Sequence, residues 1–217
     1  MRIVTRIAAL AMVLFLGLGA ACAQAEGITY VDAGDKTVQM EDDFSLRAVV
    51  QRKSAKGAME CTIRFYEQDE SCYTVYLRWM RGKRVDLSIE KHVKGEFKGS
   101  MIAMENEGAH KLNYVSVDDG WDATDDTELE LVLTVRENIA SLAMKGNVTG
   151  NNVTLHYDLT ATPWLEGMTV GEHNPVKLNK GTMTPDIRGG TLAALEVDVN
   201  TSKGKKADLP KDEWYEA

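Results

Sequence analysis

Apolar and polar residues alternate with a period of two along most of the chain beyond residue 43. Phe44, Leu46, Ala48 and Val50 are interleaved with Ser45, Arg47 and Val49. The same alternation runs through 59–65, 73–79, 85–90, 128–135, 153–159 and 195–200. Period two puts one kind of side chain on each face of a strand, so each segment is expected to have one apolar and one wet face. Between them lie turn residues: Lys56-Gly57, the run 67–71, Arg81-Gly82-Lys83, Glu137-Asn138 and Gly150-Asn151-Asn152. Several of these connections are short enough for hairpins. No stretch beyond residue 25 carries a helical period. Many strands with regular turns predict an all-β, antiparallel β-sandwich or barrel.

The first residues read differently. Arg2 and Arg6 precede an apolar run over 7–21, and Ala23-Gln24-Ala25 is a small-x-small sequence. This is the layout of a secretory signal peptide spanning 1–25. The run is about fifteen residues, short of the roughly twenty of a spanning helix. The expected product is exported, periplasmic or extracellular. The alternative is a lipoprotein anchored at Cys22, which follows Gly19-Ala20-Ala21. The expected organisation is one β-sandwich domain over 26–202 and a charged flexible tail over 203–217.

Charge narrows the partners. The formal net charge of the 217-residue chain is −8, and removing Arg2 and Arg6 takes it to −10. An acidic domain repels phosphate backbones, so no nucleic-acid partner is expected, and no other segment is apolar enough to span a membrane. Cys61 and Cys72 remain after cleavage. Export favours a disulfide, whereas alternation puts Cys61 with Ile63 and Phe65 but Cys72 out of phase with Tyr73 and Val75. Both states stay open.

The order of Asp43-Phe44-Ser45-Leu46-Arg47, Cys61-Thr62-Ile63-Arg64-Phe65, Tyr73-Thr74-Val75-Tyr76-Leu77 and Val85-Asp86-Leu87-Ser88-Ile89 resembles the concanavalin A-like, laminin G-like β-sandwich. So does the continuation through 131–135, 139–142, 165–171 and 195–199. The pattern is also similar to 3-keto-disaccharide hydrolase-like domains of secreted bacterial proteins. The resemblance implies a jelly roll of two antiparallel sheets, sugar held on a concave face or its rim, and calcium near the rim.

The candidate sites follow. Tyr76, Trp121 and Trp164 are candidate sugar-stacking platforms, because an aromatic face covers the apolar face of a pyranose ring. Tyr66 and Trp79 are weaker choices, since Trp79 shares the Val75 and Leu77 face. Asp118, Asp119, Asp122, Asp125 and Asp126 crowd into nine residues, a candidate loop for Ca²⁺, which takes about six to eight oxygens. Glu196-Val197-Asp198-Val199-Asn200 is similar to the Glu-x-Asp-x-Glu strand of laminarinase-type glucanases, but Asn200 replaces the acid/base carboxylate. His92, His110, His156 and His173 are scattered without zinc-motif spacing. Three Asn-x-Ser/Thr triplets, at Asn147, Asn152 and Asn200, would be glycosylation sites only in a eukaryotic host.

The expected function is a secreted, non-catalytic carbohydrate-binding or surface-recognition module for a glycan or cell-surface polysaccharide. The alternative is a glycoside hydrolase using carboxylates that converge in the fold, with Glu60, Asp86, Glu90, Glu128 and Glu130 as the pool. A third is a structural envelope protein without a small ligand.

Overall fold

The computed structural model describes residues 30–32, 38–41, 43–54, 57–80, 85–104, 115–116, 125–150, 152–164 and 178–198. Among the described residues thirteen strands form two antiparallel sheets, and no helix is long and apolar enough to cross a membrane. In the six-stranded sheet the order is β1 (Tyr30–Asp32), β13 (Gly190–Asp198), β3 (Phe44–Arg52), β9 (Glu128–Arg136), β10 (Ile139–Gly146) and β11 (Asn152–Asp158). The seven-stranded sheet runs β2 (Val38–Glu41), β12 (Lys180–Arg188), β4 (Met59–Gln68), β5 (Ser71–Trp79), β6 (Val85–Val93) and β7 (Glu96–Ser100). β8 (Val115–Ser116) also pairs with β6. The molecule is an antiparallel β-sandwich.

Within the described residues each alternating segment of the sequence forms a strand, and its apolar row faces the other sheet. Leu46, Ala48 and Val50 lie inside beside Leu129, Leu131 and Leu133, facing Ile63, Val75, Leu77 and Ile89 of the second sheet. Burial of this kind is worth about 1.5–3 kcal/mol for each large aliphatic side chain, and it fixes the register, because a one-residue slip would turn every apolar row outward. Trp79 is fully buried, with the Arg52 guanidinium 4.0 Å from its ring centroid.

Hairpin tips carry the local chemistry. Asp69-Glu70, Lys94-Gly95 and Glu137-Asn138 all have positive φ, the conformation of two-residue turns whose twist matches the flanking strands. The first two tips are tied together, Gly95 N–H donating to the Glu70 carbonyl at 2.7 Å. Between β12 and β13 the chain changes sheet at Gly189, where φ is +74° and a side chain would run into the Ala58 carbonyl.

A bulge in β4 shifts the pairing with β5 between Phe65 and Gln68. It turns Tyr66, at φ 53°, into the core beside Phe65, in edge contact with Phe44 at 5.4 Å. Tyr66 is 2% exposed, so no sugar can stack on it, and the expectation of a platform there is corrected. The strict alternation of 59–65 gives no sign of the extra residue.

Candidate functional site

Register builds a continuous surface on the outer face of the seven-stranded sheet. Directly paired residues on neighbouring strands project to the same side. One row runs Arg64–Thr74–Glu90–Ser100–Trp164, linking β4, β5, β6 and β7 to a residue beyond them. Trp164 joins this edge through two backbone hydrogen bonds with Ser100, of 2.8 and 2.9 Å. A second row is Thr62–Tyr76–Ser88, and a third Cys72–His92–Phe97. Ile102 lies between the inward-facing Met101 and Ala103 and so points outward with Ser100.

The face is polar at its centre and apolar along one bank. Thr74 and Ser88 are only 5% and 2% exposed, although they point away from the core. Phe97, Ile102 and Trp164, at 41%, 44% and 37%, are three of the four large exposed apolar side chains among the described residues. The His92 and Phe97 rings lie 5.5 Å apart, and His92 Nε2 sits 3.4 Å from a Glu90 carboxylate oxygen.

Tyr76 lies mid-face. Its hydroxyl donates to Glu60 Oε1 at 3.1 Å. Burial first, then the Glu60 and Glu90 carboxylates against the Arg78 guanidinium, push the phenol up to about 12. Tyr76 is therefore a neutral hydroxyl with a half-buried ring. Of the three aromatics expected to bind sugar, Tyr76 and Trp164 share this face, and Trp121 lies outside the described residues.

The acidic run behaves otherwise. Asp126 is completely buried and accepts from Val148 N–H at 2.7 Å and from Thr149 N–H and hydroxyl, both at 3.0 Å. Arg52 Nη2 donates to its backbone carbonyl at 3.0 Å. The side chain thus holds the β10–β11 turn, and Gly146 has no Cβ because one would collide with that carboxylate. Asp125 is exposed; Asp118, Asp119 and Asp122 lie outside the described residues. Among the described residues no three His, Cys, Asp or Glu side chains gather into a metal-holding group.

The pool of five carboxylates does not converge. Glu60, Asp86 and Glu90 sit on this face, Glu60 and Asp86 flanking Arg78 by register. Glu130 pairs with Arg47, and Glu128 accepts from Gln51, on the outer face of the other sheet. The whole sandwich separates the two groups. Glu196 joins Arg47 at 3.3 Å on that second face, and Asn200 lies outside the described residues. His92 and His156 belong to different sheets, while His110 and His173 are outside the described residues.

Both described cysteines are free. Cys61 pairs with Leu77 facing inward, and burial pushes its thiol up to about 12; Cys72 pairs with His92 facing outward. Opposite faces keep them apart, as the alternation implies. What the alternation misses is the apolar bank: Phe97 is flanked at i ± 2 by Gly95 and Gly99, and Ile102 sits in the unbroken apolar run Met101-Ile102-Ala103-Met104, so neither shows a period of two.

No family model and no curated protein matches the chain. Solved structures share the architecture at low identity. The CBM2 module of the evolved Dit of Lactobacillus casei BL23 phage J-1 gives a TM-score of 0.44 at 8% identity, over 80% of this chain and 74% of that one. Sheep galectin-11, solved with glycerol, gives 0.42 at 10%, over 75% and 94%. Scytalido-glutamic peptidase gives 0.35 at 10%, over 69% and 61%. All three scores lie below 0.5 and one of these proteins is a peptidase, so none decides what this chain binds.

Proposed function

We propose that this protein is an exported, non-catalytic carbohydrate-binding module that takes a glycan on the outer face of its seven-stranded sheet. One observation carries the reading: Tyr76 and Trp164, far apart in sequence, share a face whose far bank adds Phe97 and Ile102. A sugar ring needs an apolar platform and neighbouring hydrogen-bonding groups. Trp164 and Phe97 supply the first; Tyr76, Glu60 and Glu90 supply the second. A clustered exposed apolar patch on an otherwise charged domain is the mark of a binding surface.

A glycan-array screen of residues 26–217, with calcium and with chelator, tests the proposal. Binding lost in Trp164→Ala supports it. Loss under chelation would add a calcium-dependent mode drawing on Asp118, Asp119, Asp122 and Asp125. Absence of binding to any glycan in either condition would overturn it.

A further inference from the structure

The hydroxyl groups of the same face form a lane between two rows of charge. Thr62, Tyr76 and Ser88 are directly paired across β4, β5 and β6. Met101 N–H donates to the Ile89 carbonyl at 2.7 Å, which sets the exposed Ile102 beside Ser88 at the end of the lane. On one side the register runs Arg188–Glu60–Arg78–Asp86, with opposite signs on every neighbouring pair of strands. On the other side Arg64 bonds Glu67 at 3.0 Å, Glu90 lies 3.4 Å from His92, and Lys98 bonds Glu96 next to Phe97. At the β12 end Asp186 pairs with Thr62 and lies 3.7 Å from Arg188. Positive and negative groups alternate, and neither row carries a single sign. The lane itself is unsatisfied. Tyr76 gives its proton to Glu60, which leaves the phenol oxygen free to accept. Among the described residues the Thr62 and Ser88 hydroxyls have no hydrogen-bond partner, and Ser88 is almost wholly buried although it points outward. An unbonded outward hydroxyl so little exposed to water is a group that a ligand's hydrogen bond would satisfy.

Resting on the carbohydrate-binding reading, we infer that the ligand is a neutral, linear oligosaccharide laid across the strands, from Trp164 and Ile102 over Ser88 and Tyr76 to Thr62. Its apolar ring faces lie on Trp164 and Ile102, its hydroxyls meet Ser88 and Tyr76 in mid-lane, and Thr62 forms the last subsite. Ile102 and Thr62 stand three strand spacings apart, about 14 Å, which a single sugar ring does not span and a chain of about three rings does. A charged chain meets both signs at once: each attraction comes with a repulsion one strand away, and existing ion pairs must open to receive it. Charge on the ligand therefore brings no net gain. A neutral chain needs only hydrogen-bond donors and acceptors, which the hydroxyl lane supplies.

Binding isotherms test this with neutral homo-oligomers of glucose, galactose, mannose and xylose, from monosaccharide to pentasaccharide, beside amine-bearing and uronate-bearing chains of matched length. Affinity for the neutral chain that binds is expected to rise about tenfold from monosaccharide to trisaccharide, then level off, with little dependence on salt. Thr62→Val, checked for folding by its thermal melt, should lower trisaccharide affinity about fivefold and leave monosaccharide affinity unchanged, a split that a merely structural role would not give. A monosaccharide bound as tightly as the trisaccharide, an unmoved trisaccharide affinity in Thr62→Val, or tighter binding of a charged chain overturns the inference while leaving a carbohydrate-binding module standing. So does binding confined to glycans outside these neutral chains. Failure of these chains and of every other glycan overturns both.

Discussion

On the outer face of the six-stranded sheet, Arg47 reaches both Glu130 and Glu196, and Gln51 reaches Glu128. Charges of both signs are spread along it and neutralise one another across strands. On the outer face of the seven-stranded sheet, buried hydroxyls at Thr74 and Ser88 lie beside the alternating charges of Arg188, Glu60, Arg78 and Asp86 and an exposed apolar bank. Both faces obey the same alternation and flank the same core. They differ in what is left unsatisfied: the first face completes its own polar contacts, whereas the second exposes apolar rings that water does not favour. A solvated face and a recognition face are distinguished by that residue of unmet contacts.

The largest effect expected from this contrast is alkaline. Burial raises the Cys61, Cys72 and Tyr73 groups, and burial with Glu60 raises Tyr76, and all four lie on β4 and β5 of the seven-stranded sheet. A group whose proton is held more tightly in the fold than in the open chain contributes full stability below its ordinary value. That stability is lost as pH rises through the folded value. Urea midpoints should therefore hold to about pH 9, the ordinary thiol value, and fall steadily towards 12. A flat profile over that range would break this part of the contrast.

Next in size is Asp126→Ala, which strands the Val148 and Thr149 donors and removes the charge facing Arg52. A loss of about 3 kcal/mol, or about 10 °C in melting temperature, is expected. No change would mean the β10–β11 turn does not need the carboxylate. Trp164→Ala should cost about tenfold in glycan affinity while shifting stability by about 0.5 kcal/mol or less. Arg47→Ala is the matched probe on the other face: about 1 kcal/mol of stability from two surface ion pairs and no change in affinity. A binding defect in Arg47→Ala would exchange the roles of the two faces.

Much of the fold is legible in the sequence because the core is written in period two. The alternating segments are β3, β4, β5, β6, β9, β11 and β13, with their apolar rows inward. β12 escapes because only Met183 of its nine residues is fully buried, and Gly181 and Pro185 interrupt the pattern. β7 escapes because Glu96-Phe97-Lys98 carries its one ring outward. The site is half legible. Tyr76 stands out by opposing the core face of its own strand. Trp164 is named by residue type alone, since its place beside Ser100 depends on a backbone pairing between segments more than sixty residues apart. The acidic run misleads because Asp126 looks like its neighbours in sequence, and only the fold shows its lone pairs taken by the 148–149 backbone.

The most direct test compares the two faces in one experiment: affinity of a bound glycan for the wild-type chain, for Tyr76→Ala/Trp164→Ala and for Arg47→Ala. The account predicts binding by the wild type and by Arg47→Ala, and loss of about a hundredfold in the double variant, as expected when one stacking contact and one independent polar contact are removed together. Undiminished binding by the double variant, with its melt unchanged, would contradict the assignment of the seven-stranded face.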